Sequence, residues 1–331
     1  MSRQKICILG TGDISHEFIK QVLTIEKNIS LGVYHRERLK AIKFAQLYEL
    51  NHVYSTIKEV CESDMSVVYN ALPNSLHYQT SVELLKSKKH VIVEKPITSN
   101  LKELQHLVKL ANDNHVMIIE VNRVQYNEGY QFIKHQISTI SPVRLIHINY
   151  CKVSRKYVQF KSGIPMNTFS LEYSGGALYD LGVYGLQFVV GLLGMPDYAD
   201  YKCIKLEGGV DGCGTVTLSY KQQVVSIVIS KITNGRRGIE IQGESGTIIS
   251  DFPPSILSCV YVKGINEENE IKFSHEQNPF KSFIENALNI IQNNQTKQYH
   301  QLVQYSDNTM RLLEELRRSA DIVFNCDNRN D

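Results

Sequence analysis

Three side chains in this sequence have the types and settings for proton transfer: Lys95, Asp180 and Tyr184. Lys95 stands in Glu94-Lys95-Pro96, directly after the β-branched run His90-Val91-Ile92-Val93. Pro96 cannot continue a strand ladder and biases Lys95 toward an extended backbone, so the ammonium falls where a buried strand ends. A lysine fixed at such an edge can shift its pKa and join in proton transfer. For the tripeptide alone, a strand that ends in a solvated lysine is the plainer reading. Asp180 and Tyr184 lie four residues apart in Gly175-Gly176-Ala177-Leu178-Tyr179-Asp180-Leu181-Gly182-Val183-Tyr184. On a helix they share a face. A tyrosine hydroxyl beside an ammonium is an acid–base pair, because the cation favours phenolate. Asp180 would then orient a substrate hydroxyl or the lysine, and the double glycine leaves backbone open to close approach. A buried helix with an internally satisfied Asp and Tyr has the same spacing.

A second group of residues suits a ligand that carries phosphates. Gly10-Thr11-Gly12-Asp13-Ile14-Ser15 follows the strand-like Lys5-Ile6-Cys7-Ile8-Leu9 and opens a helical pattern at Ile14, Phe18, Val22 and Ile25. Gly10 suits the tight turn, and Gly12 lets backbone approach a pyrophosphate on the helix N-terminus. Ser15 is small enough to take the packing role of a third glycine. The next strand ends Val33-Tyr34-His35-Arg36-Glu37-Arg38, with no acid at its end. A carboxylate there would accept from the ribose hydroxyls of NAD, whereas Arg36 can pair with the 2′-phosphate of NADP and stack on adenine. Arg36 and Arg38 as solvated first-turn residues is the plainer alternative, and the direction of Glu37 keeps the choice open. NADP(H) is the preferred cofactor on this reading, with NAD(H) retained. Ala71-Leu72-Pro73-Asn74-Ser75-Leu76-His77 ends a fourth strand, at the edge where open α/β sheets bind ligands. Asn74 is a good helix cap. His77 is placed to face the ribose, the nicotinamide or the substrate, or to serve structure alone.

Two architectures are needed to position these residues. Over 1–122, short apolar strands (5–9, 29–34, 53–54, 66–72, 90–94, 116–121) alternate with helical patterns, which implies a mostly parallel sheet covered on both faces. From 123 a helix (128–137) leads to a strand (143–153), a loop-like stretch (154–174) and a helix (175–193). Strands follow at 202–206, 212–220, 224–231, 238–242, 247–250 and 257–262, with turns at 220–223 and 243–246. Hairpin spacing of this kind means an antiparallel sheet. Helices at 279–293 and 299–324 and a frayed tail complete the second domain, 123–331. A length of 331 residues agrees with two domains.

Composition excludes several classes. Lys and Arg are scattered and the net charge is only +2, which argues against nucleic acid. The apolar stretch 188–195 is far too short to span a bilayer, and the N-terminus runs into a strand without an export segment. Seven widely spaced cysteines with no CxxC pair suggest neither disulfides nor a metal site, so a cytoplasmic location is expected.

Together the 10–15 turn, Pro73-Asn74-x-x-His77, Glu94-Lys95-Pro96 and the Gly175–Tyr184 helix resemble the glucose–fructose oxidoreductase/inositol dehydrogenase (Gfo/Idh/MocA) family along essentially the whole chain. The resemblance implies an α/β Rossmann domain followed by an α+β domain with an open, mostly antiparallel sheet. It implies NAD(P)-dependent hydride transfer on a sugar, polyol or related hydroxyl or carbonyl compound. The cofactor contacts expected are Gly10, Thr11, Gly12, Asp13, Ile14, His35, Arg36, Leu72, Pro73, Asn74, His77, Glu94 and Lys95. Lys95, Asp180, Tyr184 and Arg123 would meet the substrate. Tyr184 stands where many members have histidine, which resembles the branch of glucose–fructose oxidoreductase, dimeric dihydrodiol dehydrogenase and NADP-dependent xylose dehydrogenase. Dihydrodiol-type members carry an Arg where this chain has Gln125, so the substrate lining is altered.

The expected protein is therefore a cytoplasmic oxidoreductase in which Tyr184 handles the proton, Lys95 keeps Tyr184 acidic, and Asp180 and His77 position a small-molecule substrate. A nucleotide-responsive regulator of the same fold, without turnover, is the alternative from another class. A hydrolase that retains nicotinamide has little support, given Tyr184 and the lack of an inserted His-rich motif. A homodimer is expected, because Val216, Leu218, Val225, Ile227 and Ile229 would exceed the cover of one helical layer.

Overall fold

Runs of isoleucine and valine too short for helices form the first sheet, and the amphipathic segments between them form its crossovers. The computed structural model describes residues 4–25, 29–265, 270–274 and 278–328. β1 (Lys5–Leu9), β2 (Ser30–Tyr34), β3 (His52–Tyr54), β4 (Val67–Asn70), β5 (His90–Val93) and β6 (Ile118–Glu120) alternate with five helices. These are α1 (Asp13–Ile25), α2 (Arg38–Tyr48), α3 (Ile57–Glu62), α4 (Asn74–Lys86) and α5 (Leu101–Asp113). Every pairing is parallel, in the order β3-β2-β1-β4-β5-β6. This is the Rossmann order. The chain reverses direction across the sheet between β1 and β4, and ligands bind at such a switch point, beyond the carboxyl ends of the strands.

The chain forms two units, Met1–Val121 with Phe280–Asp307, and Asn122–Pro279 with Asn308–Asp331. Residues 280–307 thus differ from the expected assignment to the second domain. Packing explains the difference: the Phe280 ring lies 6.0 Å from Phe18 and 6.3 Å from Tyr69, both in the first unit's core.

The second part of the chain contains α6 (Glu128–Gln136), β7 (Val143–Cys151), α7 (Tyr157–Lys161), α8 (Val183–Leu193), β8 (Tyr198–Lys205), β9 (Asp211–Ser219) and β10 (Val224–Ser230). β11 (Gly238–Gly243), β12 (Gly246–Ser250), β13 (Cys259–Gly264), β14 (Glu270–Ser274), α9 (Pro279–Gln292) and α10 (Thr296–Ser319) follow. The strands form one sheet in the order β14-β13-β12-β11-β7-β10-β9-β8. It is antiparallel except where β10 runs parallel to β7. The β9–β10 and β11–β12 hairpins turn at the expected positions. Three local expectations change. The 154–174 stretch contains α7, β14 was not anticipated, and the helix before α8 opens with a π turn, Leu178–Gly182.

Val216, Leu218, Val225, Ile227 and Ile229 are all buried within the chain. The π turn and α8 pack closely on β10: a Cβ on Gly185 would lie 2.8 Å from Ile227, and one on Gly182 would lie 3.1 Å from Ile229. The apolar surface on which a dimer was expected is therefore already covered. The tail is docked rather than frayed as far as Asn328, with Phe324 and Cys326 buried in and beside a 3-10 turn. Residues 329–331 lie outside the described residues. Among the described residues no helix is long and apolar enough to cross a membrane, and no His/Cys/Asp/Glu cluster could hold a metal ion.

Candidate active site

The first unit's ligand edge begins at the glycine turn. Gly10 has φ +100°, and its amide donates to the Tyr34 carbonyl at 2.9 Å. Its left-handed backbone and the Ala71 carbonyl, 3.2 Å from a would-be Cβ, both require glycine. Gly12 is different, since a Cβ there would meet nothing within 4 Å. The open space lies beside the N-terminus of α1, where unpaired amides favour an anion. Thr11, Asp13 and Ile14 complete this turn. Ser15 is fully buried and donates its amide to Gly12, as the packing role requires.

The end of β2 is basic. His35 Nδ1 accepts from the Glu37 amide at 2.9 Å, Arg36 is exposed, and Arg38 donates to the Ser55 hydroxyl at 2.9 Å. Glu37, the one acid in this turn, pairs with Lys40 at 2.7 Å, and that hydrogen bond holds its pKa below the usual carboxylate range. Its charge is thereby turned toward α2. A 2′-phosphate beside His35 and Arg36 fits this arrangement better than a ribose diol, which would need a carboxylate acceptor.

At the end of β4, Asn70 shapes the following loop by accepting from the Leu72 amide at 3.3 Å. Pro73, not Asn74, is the N-cap of α4, and Asn74 is its first helical residue. Leu72, Pro73 and Asn74 remain at the ligand edge. His77 does not face it. Its ring is fully buried, with Nε2 2.8 Å from the Leu72 carbonyl and Nδ1 3.0 Å from the Pro96 carbonyl. A neutral imidazole can donate to only one of these carbonyls, and burial lowers its pKa against the doubly donating cation. The ring therefore laces two edge loops together and offers no nitrogen to a ligand.

Glu94 also points inward. Its carboxylate accepts from the Tyr69 hydroxyl at 2.6 Å and from the Lys95 amide at 3.3 Å. Opposite Val93, the 5% exposed Glu120 accepts from the Ile97 amide at 3.1 Å and the Ser306 hydroxyl at 2.7 Å. Burial raises the Glu120 pKa to about 7. Lys95, directly after Glu94 and beyond the end of β5, is half-buried, and its peptide to Pro96 is cis. Beyond it, Asn100 caps α5 by accepting from the Glu103 amide at 2.9 Å, which fixes the loop.

In the second unit Asp180 sits in the π turn and Tyr184 in the first turn of α8, both partly exposed. Such widened turns are frequent at functional sites. The double glycine before them serves the protein itself rather than a ligand. A Cβ on Gly176 would lie 1.9 Å from Asp211 Oδ1, and one on Gly175 would lie 2.7 Å from the Asn167 carbonyl. Buried Asp211 accepts from the Leu178 amide and the Tyr201 hydroxyl, each at 2.7 Å, and so anchors the start of the turn. Asp180 forms an ion pair with Lys231, whose ammonium also donates to the Thr168 hydroxyl. The Tyr184 ring lies 6.0 Å from that of Tyr150. Arg123 is half-buried in the turn that Asn122 holds by accepting from the Val124 and Gln125 amides at 3.1 Å.

Lys231 and Asp211 escaped sequence reasoning. One signal was present: Lys231 follows an apolar strand, as Lys95 does. Asp211 had none, because its partners are distant in sequence.

Residues 4–122 match the model of an oxidoreductase family with an NAD-binding Rossmann fold, and residues 139–249 match the Gfo/Idh/MocA C-terminal domain. The chain is 32% identical over 326 residues to the scyllo-inositol 2-dehydrogenase (NADP(+)) IolU of Bacillus subtilis, covering 98% of this chain and 99% of that one. It belongs to the Gfo/Idh/MocA family. It is also 27% identical over 220 residues to a trans-1,2-dihydrobenzene-1,2-diol dehydrogenase of Danio rerio, 64% of each chain. Among solved structures, the 3-ketoreductase KijD10 of Actinomadura kijaniata, in complex with NADP and TDP-benzene, superposes with a TM-score of 0.83. That match covers 98% of this chain and 99% of the other at 17% identity, a likeness of fold. The Gfo/Idh/MocA resemblance read from the motifs, including its dihydrodiol dehydrogenase-like branch, is thus borne out.

Proposed function

We propose that this Gfo/Idh/MocA protein is an NADP(H)-dependent oxidoreductase that transfers a hydride between nicotinamide and a sugar, polyol or diol/carbonyl substrate. The observation that carries the reading is the ligand edge of the first sheet. There the open turn at Gly12, the basic end of β2 and Lys95 occupy the carboxyl ends of one set of parallel strands. The name of the Bacillus subtilis relative supports both the cofactor and the polyol class.

Gly10, Thr11, Gly12, Asp13 and Ile14 would hold the pyrophosphate, His35 and Arg36 the 2′-phosphate, and Leu72, Pro73 and Asn74 the nicotinamide half. When bound, the nicotinamide supplies the hydride acceptor or donor. Tyr184 takes the substrate hydroxyl proton in oxidation and returns it in reduction. The Lys95 ammonium stabilises the substrate oxygen, where negative charge develops. Asp180 orients the hydroxyl and Arg123 lines the substrate's other end. The protein works in the cytoplasm as a homo-oligomer joined through the open face of its second sheet. Leu145, His147, Thr215, Thr217 and Val224 stay exposed on that face, and sedimentation would read the assembly.

NADPH absorbance, followed with a panel of inositols, aldoses and vicinal dicarbonyls, tests the reading. Turnover on at least one member is expected, with Lys95→Ala lowering it at least ~10²-fold. Near-normal turnover by Lys95→Ala excludes the proton scheme. Tight NADPH binding without turnover across the panel favours the regulator instead.

A further inference from the structure

An ammonium that has lost its water must be held by partners of its own, and in the second unit one such ammonium holds Asp180. Lys231 is 2% exposed. Its Nζ donates to Asp180 Oδ2 and to Thr168 Oγ1, and it lies 5.4 Å from the centre of the Phe169 ring. The backbone on either side is pinned: the Lys231 amide donates to Gly212 at 2.9 Å, and its carbonyl accepts from Ser154 at 2.8 Å. The ammonium therefore projects from a fixed strand end. Asp180 differs in exposure, since 41% of its side chain still faces solvent. One carboxylate thus meets a buried cation on one side and remains within reach of a ligand on the other.

Thr168 extends the connection. Its carbonyl accepts from the Gly176 amide at 3.0 Å, directly ahead of the π turn. The same residue braces the ammonium through its hydroxyl and the glycine turn through its backbone. A buried cation left without its carboxylate is strongly unfavourable, so Asp180 cannot swing toward solvent without stranding Lys231.

We infer that Lys231 is a positioning residue of the active site, whose buried ammonium fixes the Asp180 carboxylate and, through Thr168, ties the 167–176 segment to the catalytic turn. The inference rests on the assignment of Asp180 to the substrate site. Lys231 acts through Asp180 and Thr168 and touches neither substrate nor cofactor.

A crystal structure of the Lys231→Met variant reads the inference without any substrate. The Asp180 side chain is expected to leave its present rotamer, and an unmoved carboxylate would overturn the proposal. Kinetics give a second reading, with whichever polyol or carbonyl compound of the panel turns over. Lys231→Met should lower kcat ten- to a hundredfold while NADPH affinity, by fluorescence titration, stays within twofold. In an Asp180→Asn background the same substitution should cost less than twofold more. Additive losses would mean that Lys231 does not act through Asp180. If Asp180→Asn alone turns over normally, the role of Asp180 fails, and the crystal structure still decides the role of Lys231. Should Lys231→Met fail to fold, Thr168→Val removes one acceptor and keeps the ion pair. Its kcat should fall three- to tenfold, and an unchanged kcat would count against the network.

Discussion

The two units build their polar sites by opposite routes. In the first, several groups at the ligand edge are set by near neighbours in sequence: Glu37 by Lys40, Leu72 by Asn70, and the Lys95 amide by Glu94. A parallel sheet brings all its strand ends to one edge, so short local motifs suffice to assemble a site there. In the second, the decisive contacts are long-range. Asp180 meets Lys231 across 51 residues, and Leu178 meets Asp211 across 33. A mixed sheet has no common ligand edge, and a buried ammonium (Lys231) and a buried carboxylate (Asp211) hold the turn that carries Asp180. The second site should therefore be disturbed by substitutions remote from it in sequence, and the first much less so.

The largest expected effect lies at the tail of the second unit. Arg317 is 1% exposed and donates to Asp327 at 2.6 and 2.9 Å and to the Ile322 carbonyl at 2.7 Å. Its guanidinium stacks 4.3 Å from the Phe324 ring, which meets Tyr179, the neighbour of Asp180, at 4.8 Å. Asp327→Asn leaves that guanidinium buried and uncompensated, and should cost about 3–5 kcal/mol in urea unfolding. A loss below about 1 kcal/mol would break the contrast between the units.

The first unit offers a pH-dependent counterpart. Glu120 is buried near Glu94, whose charge raises its pKa further, and Lys95, whose charge lowers it. The folded chain holds this proton more tightly than the unfolded chain does. Its contribution to stability is thus greatest in acid, declines as pH rises from about 4.5 through about 7, and is level above that. Glu120→Gln keeps the shape and one acceptor oxygen, with the Ser306 hydroxyl able to turn and accept from its amide, but it cannot ionise. Its stability relative to wild type should rise by about 3 kcal/mol between pH 5 and pH 8. A difference independent of pH would show that Glu120 is not held protonated by its surroundings.

The glycines show what could be read in advance and what could not. The mostly parallel sheet, the 10–15 turn and the Lys95 strand end were legible because turn chemistry and strand periodicity are local. The sequence left His77 open between a ligand-facing and a structural role, because its partners, the Leu72 and Pro96 carbonyls, lie on separate loops. Gly175-Gly176 was read correctly as a place of close approach, yet the group that approaches is Asp211, which no spacing rule connects to it. The apolar face of β9 and β10 was legible as well, but the close packing of Gly182 and Gly185 on β10 was not. Alanine at Gly12 and at Gly176 separates the two kinds of glycine. Gly176→Ala meets both φ +117° and the Asp211 carboxylate, and should destabilise by about 2–3 kcal/mol. Gly12→Ala has open space, so its stability should stay within about 0.5 kcal/mol of wild type while NADPH affinity falls. Equal melting shifts for the two would contradict the geometry.

Arg36 gives the smallest and most selective effect. It is exposed, so a contact to a 2′-phosphate is partly screened, and Arg36→Ala should lower the ratio of NADPH to NADH affinity about tenfold, ~1.4 kcal/mol. The change should come almost wholly from NADPH, because NADH has no group there to lose. Raising the salt should shrink the wild-type ratio but hardly alter that of the variant. Lys40→Ala supplies the converse, since it frees the Glu37 carboxylate now held at 2.7 Å and lets it oppose a phosphate at the same strand end. Fluorescence titrations with both nucleotides distinguish these cases. A wild-type preference for NADH, unchanged in Arg36→Ala, would show that the basic end of β2 is a solvated helix start and that cofactor choice is made elsewhere on the sheet edge.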